Sequence, residues 1–466
     1  MTRRDFLRAG AAAATGPYLA LSQNPRQDRP PNFVIVLCDD LGYGDLACFG
    51  NKTIRTPNLD RFAGEGIRFT DCYAAAPVCS PSRAGMLTGR TPNRLGIYNW
   101  INEGSPVHLG REEATFAQIL SDAGYATCHS GKWHCNGKFN DPAQPQPGDH
   151  GFEHWFSTQN NALPSHANPV NFVRNGKPVG PLIGYSSTVI VEEAIGWLGG
   201  VSAKPFCLFV CFHSPHEPVA TAEEFTGMYR EQIPRERAIY YGNVTQLDHE
   251  FGRLMKHLDD RKLRDDTLVF FTSDNGPETL KRYPGAARSY GTAAPLRSMK
   301  LSLYEGGCRV AGMARWPRRI RPGQASAEPV CSYDMLPTLV ELAGAKAPSG
   351  RVLDGASLTP AFSGKRIERR IPLHWHYYNA LDRPRASMRD GDWKILGIPD
   401  KPSAQGPGTA LNVAGMEYAH SYRLVEFELY NLREDPAETT NLAAREPGRL
   451  GAMRDRLLSL EKEVRA

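Results

Sequence analysis

Four short apolar runs, each ending abruptly in polar residues, constrain the fold of this chain more than any other feature. They cover residues 33–37, 126–129, 206–212 and 267–272. Continuous apolar runs of this length are typical of strands buried on both faces of a parallel sheet. Between them lie helix-like stretches with apolar residues every three or four positions, at 112–123, 188–198 and 237–258. The alternation predicts an α/β fold with a large, mostly parallel central sheet flanked by helices.

The pattern changes after residue 364. Short extended runs rich in aromatic residues, at 371–378 and 393–396, replace the long alternation, and a helical pattern follows at 447–464. We therefore predict a smaller C-terminal subdomain, residues 365–466, with an antiparallel sheet and a helix. Residues 31–364 would form the main domain, and 401–415, rich in proline, glycine and alanine, would form a loop.

The first 30 residues are predicted to be an export leader. Arg3 and Arg4 precede a weakly apolar run, 9–21, which resembles a twin-arginine signal. This run is shorter than the roughly 20 residues that span a bilayer, so we expect no permanent membrane anchor. The leader predicts a bacterial protein that is periplasmic or secreted, with the export machinery as a partner.

Charge excludes one class of partner. The chain has 55 basic and 50 acidic residues, a net charge of +5, and its sequence has no basic stripe interleaved with aromatic residues. We therefore expect no nucleic-acid partner. A small positive excess suits an anionic small substrate.

Polar residues follow all four apolar runs. Asp39 and Asp40 follow the first run, Lys132 and His134 the second, His216 the third, and Asp274 and Asn275 the fourth. Ligands of such sheets bind beyond the carboxyl ends of the strands. We expect these side chains to meet there.

The strongest local motif is Cys79-Ser80-Pro81-Ser82-Arg83. A thiol at a helix start near a cation could itself be a nucleophile. The loop of protein tyrosine phosphatases has this form, but its five-residue separation of Cys and Arg fails here, because position 85 is Gly. By contrast, residues 79–90 resemble the signature of type I sulfatases of the alkaline phosphatase superfamily. In that family a separate enzyme oxidises the cysteine to formylglycine.

The resemblance extends along most of the chain in the family's order. Asp39 to Asp45 resembles its opening metal motif, and Asp274-Asn275-Gly276 its closing one. The segments similar to its sulfate-handling motifs are Gly131 to His134, Pro215 to Pro218, and Lys300 with Tyr304 to Gly307. Residues 429–438 are similar to its terminal segment. Met299 and Ala311 depart from the family pattern, where Gly and Pro are common.

The resemblance implies one calcium ion per chain, held by Asp39, Asp40, Asp274, Asn275 and the formylglycine derived from Cys79. Calcium takes about six to eight oxygen ligands, whereas zinc prefers nitrogen and sulfur. A set of ligands made only of oxygen atoms therefore disfavours zinc, whereas magnesium remains an alternative to calcium.

It also implies a mechanism. One hydroxyl of the hydrated aldehyde attacks sulfur, and the second loses its proton when sulfate leaves. The resemblance assigns catalytic roles to Cys79, Arg83, Lys132, His134, His216 and Lys300. A cationic cage suits a sulfate ester, because charge builds on its leaving oxygen.

The expected activity is that of a sulfuric ester hydrolase, an arylsulfatase-like sulfatase acting on a sulfated small molecule or glycan, preferably a carbohydrate sulfate. The formylglycine-generating enzyme would be a maturation partner. Two alternatives remain: a phosphate or phosphonate ester hydrolase of the same superfamily, and a non-catalytic protein that binds sulfated glycans. Residues that could contact a sugar, but are more typical of a surface, are His166, Arg174, Arg288, Tyr290, His374 and His376.

Overall fold

A computed structural model describes residues 30–201, 204–231, 233–278, 289–403 and 409–465. The predicted leader, 1–30, lies outside these residues except for Pro30, and Arg288 lies outside them as well. Pro31–Ala466 forms one compact unit. Among the described residues, no helix combines the length and the apolar character needed to cross a membrane.

The strands belong to two sheets. Those of the larger sheet are β1 (Asn32–Asp39), β2 (Ile67–Tyr73), β3 (Ala126–Lys132), β4 (His154–Thr158), β5 (Val173–Arg174), β6 (Lys177–Pro178), β7 (Phe206–Pro215), β8 (Thr267–Ser273), β9 (Arg309–Arg315), β10 (Gln324–Ser326) and β11 (Val330–Cys331). Those of the smaller sheet are β12 (Leu373–His376), β13 (Ala386–Asp390), β14 (Trp393–Pro399) and β15 (Leu424–Asn431).

The α-helices of the described residues are α1 (Pro57–Gly64), α2 (Cys79–Thr88), α3 (Phe116–Asp122), α4 (Ser186–Gly200), α5 (Glu223–Gly227), α6 (Arg235–Asp260), α7 (Glu305–Cys308), α8 (Met335–Ala343), α9 (Val413–Ser421) and α10 (Pro447–Arg465). Short 3₁₀ turns lie at Tyr43–Asp45, Ala47–Phe49, Pro92–Leu95, Pro147–His150, Arg264–Asp266, Ser332–Asp334 and Thr359–Ser363.

The larger sheet has the order β10-β2-β9-β8-β1-β7-β3-β4-β5-β6, with β11 also paired to β2. Five consecutive strands at the centre of this sheet are parallel to one another, in the order β8-β1-β7-β3-β4. Strand β9 is antiparallel to both β8 and β2. The carboxyl ends of the four predicted strands therefore lie at one edge, which confirms the predicted fold class.

Both faces of the central strand are buried. Phe33, Ile35 and Leu37 of β1 join one apolar cluster, while Val34 and Val36 join another on the opposite face. Helices α3 and α8 contribute to the first cluster, and α1, α4 and α6 to the second. Burial of each such side chain contributes about 1.5–3 kcal/mol. This two-sided burial is why the runs carry no polar alternation.

The smaller sheet is antiparallel throughout, in the order β12-β13-β14-β15, and α10 packs against it. It follows residue 364, but the domain boundary there stays a prediction. Two element bounds differ from the sequence prediction for reasons of capping. Helix α3 begins after Thr115, whose side chain accepts a hydrogen bond from Gln118 N. Helix α9 begins inside the predicted loop, because Asn412 caps it at Gly415 N.

Candidate active site

The strand ends bring the predicted acidic residues together. Asp39 is the last residue of β1, and Cys38 pairs with Ser273, so Asp274 follows β8 directly beside it. Asp274 N donates to the Cys38 carbonyl at 3.0 Å. All ten predicted site residues are buried.

Cys79 reaches the same edge through the loop after β2. It is the first residue of α2, and Ser80 Oγ accepts a hydrogen bond from Ile101 N at 3.0 Å. Helix α2 packs closely at Gly85, where a Cβ atom would lie 2.7 Å from Ala75 Cβ. Arg83, one helical turn after Cys79, shares its face of the helix.

Arg83 ties the helix to three strands. Its Nε donates to Asp274 Oδ2 at 2.9 Å, and its Nη1 donates to the Lys132 carbonyl at 2.9 Å. Its Nη2 lies 2.7 Å from Asp274 Oδ2 and 3.7 Å from Asp39 Oδ1. The guanidinium thus fixes α2 against the ends of β1, β3 and β8.

Two buried lysines neutralise the aspartate pair. Lys132 Nζ donates to Asp39 Oδ2 at 2.6 Å, and Lys300 Nζ donates to Asp40 Oδ2 at 2.7 Å. Lys300 Nζ also lies 3.7 Å from Glu278 Oε2. The predicted placement of Lys300 beside the acidic cluster therefore agrees with the structure, despite the unusual Met299 before it.

Asp40 adopts a left-handed backbone, with φ of 63°. This conformation is uncommon for non-glycine residues and costs free energy. Its N–H faces Asp274 Oδ1 at 3.3 Å, and its Oδ1 accepts from Asn275 Nδ2 at 2.6 Å. The turn therefore aims the Asp40 carboxylate back into the cluster.

Some oxygen atoms of this cluster lack hydrogen bonds. Asp39 Oδ1 and Asn275 Oδ1 are buried and have no hydrogen-bond partner among the described residues. Asp39, Asp40 and His216 offer ligand atoms within 4.8 Å of one another, a spacing that suits a metal ion. Carboxylate and amide oxygens are the ligands that hard divalent cations prefer.

The two predicted catalytic histidines contact different residues of the site. His134 Nε2 faces the Ile101 carbonyl at 3.0 Å, so this nitrogen carries the proton and donates it. Its buried Nδ1 has no partner among the described residues. His216 Nε2 lies 3.6 Å from Asp40 Oδ2, and its Nδ1 faces the Glu217 carbonyl.

Burial and charge together shift several pKa values. Burial would raise the pKa of Asp39, but Lys132 and its cationic neighbours hold it well below its usual range. Burial and the Asp39 charge raise the pKa of Asp274 to about 7. Burial lowers the pKa of His134 well below its usual value, with Lys132 and Arg83 adding to the effect.

Burial also raises the pKa of the Cys79 thiol, although Lys132 and Lys300 act against it. Burial therefore favours the protonated thiol, whereas a nucleophilic cysteine reacts as the thiolate. The unmodified Cys79 thiol is poorly suited to act as a nucleophile.

Sequence reasoning missed or misjudged several residues near the site. It missed Glu278, which follows the Asp274 motif, and Ile101, which acts only through its backbone. His166, His374 and His376 are buried, so reading them as surface residues was wrong. His166 packs against His213 at a ring distance of 5.3 Å, a contact that no sequence spacing indicates.

Family models and known proteins match most of the chain. A family model described as Sulfatase matches residues 31–345, and one described as N-sulphoglucosamine sulphohydrolase, C-terminal, matches residues 299–398. The chain is 35% identical over 460 residues to arylsulfatase A of Homo sapiens, covering 91% of this chain and 85% of the relative.

Two further matches have names that refer to sugars. N-acetylgalactosamine-6-sulfatase of Canis lupus familiaris is 33% identical over 404 residues, covering 80% of this chain and 74% of the relative. The solved structure of Ps i-CgsB in complex with k-i-k-neocarrahexaose has a TM-score of 0.79 at 26% identity. This match covers 93% of each chain.

Proposed function

Because this chain belongs to the sulfatase family of the alkaline phosphatase superfamily, we propose that it hydrolyses a sulfate monoester to an alcohol and inorganic sulfate. The family membership confirms the resemblance drawn from the motifs. The proposal adds that the nucleophile derives from an aldehyde at residue 79 and that the metal is calcium.

One observation carries this proposal. Arg83, one turn after Cys79, is bonded at once to Asp274 and to the Lys132 carbonyl. The helix that begins at the modified residue is thereby held against the strand ends that carry the acidic cluster. A reacting group at residue 79 would lie among groups suited to bind both a cation and an anion.

The acidic cluster fits calcium. The donors are oxygens of Asp39, Asp40, Asp274 and Asn275, and two of them have no hydrogen bond among the described residues. These four residues, with residue 79, would hold the ion. We assign His216 to proton transfer instead, since its nitrogen is a poorer donor for a hard cation.

A hydrated aldehyde at residue 79 would supply two hydroxyls on one carbon, and a calcium ion held by these residues would lower the pKa of a hydroxyl bound to it. Asp274, which follows β8 directly beside Asp39, is the carboxylate that would accept that proton. Arg83 and Lys132 orient residue 79 and offset the charge of the sulfate.

Proton delivery to the departing alcohol falls to Lys300 and His216. Both nitrogens lie beside the same carboxylate oxygen, Asp40 Oδ2, at 2.7 and 3.6 Å. His134 donates from Nε2 and is kept neutral by burial, which leaves its Nδ1 as an acceptor. His134 is therefore the base for the step that expels sulfate.

We propose a carbohydrate sulfate as the substrate class. The named sugar sulfatase relative and the neocarrahexaose complex support this choice. We further propose maturation by a formylglycine-generating enzyme and export directed by residues 1–30. Cell fractionation of the full chain and of Arg3→Lys with Arg4→Lys tests the export step.

A matched pair of cysteine variants tests the proposed activity. Sulfate release from sulfated sugars is measured for the matured protein, for Cys79→Ala, and for Cys48→Ala as a control. Cys48 lies in the 3₁₀ turn Ala47–Phe49, outside the site. We expect Cys79→Ala to abolish turnover while leaving the fold intact, and Cys48→Ala to retain it.

Retained turnover in Cys79→Ala would overturn the mechanism. Phosphate release without sulfate release would favour the phosphoesterase alternative. Binding of sulfated sugars without any release, by protein that carries the modified residue 79, would favour a non-catalytic binder.

A further inference from the structure

A second pocket adjoins the site and has a different chemistry. It has a volume of about 700 Å³ and lies between two segments, 96–107 and 410–417. Half-buried Tyr98 and Trp100 form one wall, and Leu411 and Met416 form the other. Val413 lies at the rim with 76% of its surface exposed. Aromatic and aliphatic walls with a few polar groups are typical of small-molecule sites.

The backbone of Ile101 connects this pocket with the site. Its N–H donates to Ser80, next to Cys79, and its carbonyl accepts from His134. Ile101 itself is buried in the apolar core, and its neighbours Trp100 and Asn102 line the pocket. Trp100 also packs against the apolar cluster that contains Cys79. Residues 100–102 therefore border both the pocket and the site.

A second connection runs through the Lys300 loop. Buried Asn99 accepts a hydrogen bond from Tyr377 OH at 3.1 Å and donates to Tyr378 OH at 3.1 Å. Leu381, a few residues on, donates its N–H to the Leu301 carbonyl at 2.8 Å. The pocket therefore borders the two loops that place His134 and Lys300.

The pocket and the site differ in charge. Arg83, Lys132 and Lys300 are buried in the site, but no lysine or arginine is among the described residues that line the pocket. Its lining includes two exposed carboxylates, Glu103 and Glu417. A sulfate or carboxylate group would find no cation there and would meet like charge.

We propose that this pocket binds an uncharged sugar ring linked to the sulfated residue of the substrate. The inference rests on the proposed function and deepens it by naming the neighbour of the reacting unit. Trp100 and Tyr98 offer faces for the C–H groups of a ring, while Asn102 and Asn412 offer hydrogen bonds to its hydroxyls. A neutral ring suits this lining, and a uronate or a second sulfated sugar does not.

The test compares kcat/KM for three substrates on one preparation. They are a small aryl sulfate, a sulfated disaccharide with a neutral neighbouring ring, and a matched disaccharide whose neighbouring ring is a uronate. Trp100→Ala should lower kcat/KM for the neutral disaccharide, relative to kcat/KM for the aryl sulfate, about five- to tenfold. Trp100→Phe should restore most of this ratio. The loss should lie in KM rather than in kcat.

Reversing a charge at the rim of the pocket tests the substrate preference independently. Glu417 is exposed on α9, so Glu417→Lys should fold normally and shift the preference about two- to fivefold toward the uronate substrate. Glu434→Lys, exposed and outside the pocket lining, is the control and should leave the preference unchanged.

Each of the following results would contradict the proposal that this pocket binds a neutral sugar ring. Equal loss on all substrates in Trp100→Ala would mean general damage to the site. A wild-type preference for the uronate, or a larger Trp100 dependence for a hydrophobic aryl sulfate, would mean a different occupant. Turnover of all three substrates without any such dependence defeats only this inference, whereas no sulfate release at all defeats the proposed function with it.

Discussion

Lys394→Met should destabilise the protein by removing a cation that lies between two buried carboxylates. Glu438 would lose this partner, whereas Glu305 would keep Arg309 Nη1 at 3.2 Å. Lys394, on β14, is 1% exposed, and its Nζ lies 2.8 Å from Glu305 Oε1 and 3.0 Å from Glu438 Oε1. Glu438 Oε2 accepts a hydrogen bond from Glu305 N at 2.6 Å, at the start of α7. These contacts tie the smaller sheet to the segment that follows Lys300.

Breaking a buried ion pair by removing one partner costs about 3–5 kcal/mol. A unit of about 430 residues has an unfolding entropy near 0.9 kcal/mol/K, so the melting temperature should fall by roughly 3–5 °C. Protonation of Glu438 should soften the loss at low pH, because burial raises the pKa of this carboxyl to about 7.

The assay is a thermal scan of wild type, Lys394→Met and a control, Lys256→Met. Lys256 pairs with Asp260 at 2.6 Å on the surface, and its side chain is 73% exposed. Its loss should move the melting temperature by less than about 1 °C. Equal shifts for the two variants would refute the reasoning, because they would show that burial of the network adds nothing.

Three further predictions concern the site and one buried acid. Asp39→Ala should lose bound calcium and turnover together, and undiminished calcium by elemental analysis would show that the ligand is misplaced. Lys300→Ala should lower kcat at least about 100-fold. Because it also removes one partner of the buried Lys300–Asp40 pair, it should lower the melting temperature by about as much as Lys394→Met, roughly 3–5 °C. A variant that no longer folds would make the residue structural. Tyr240→Phe should cost more stability at pH 8.5 than at pH 5.5. Burial raises the pKa of Asp45 to about 7, so the folded protein holds a proton there that the unfolded chain releases. Stability from this group falls as pH rises through about 7, and the Tyr240 hydroxyl, 2.7 Å from Asp45 Oδ2, limits that fall. A cost that is independent of pH would contradict this account.

The sequence predicted the central sheet because its strands are buried on both faces and so read as unbroken apolar runs. The short strands at its edges, such as β5 and β10, carry no such pattern and were not predicted. The candidate site residues could be named from the sequence because each follows an apolar run or lies in a motif, and their catalytic roles stay predictions. Glu278 and the Ile101 backbone could not be named in this way, since their roles arise only when distant loops meet. The burial of His374 likewise depends on Asp354, 20 residues earlier, which lies 3.2 Å from its ring.

The central claim is that residue 79 is an aldehyde held by the charged groups around it. The sequence provides a direct measurement, because trypsin should release residues 69–83 as one peptide that carries both Cys72 and Cys79. After denaturation, treatment with a thiol alkylator and a hydrazide should label Cys72 as a thiol and residue 79 as a carbonyl in the same molecule, as read by tandem mass spectrometry. Fully active protein whose peptide carries two alkylated thiols would contradict the account.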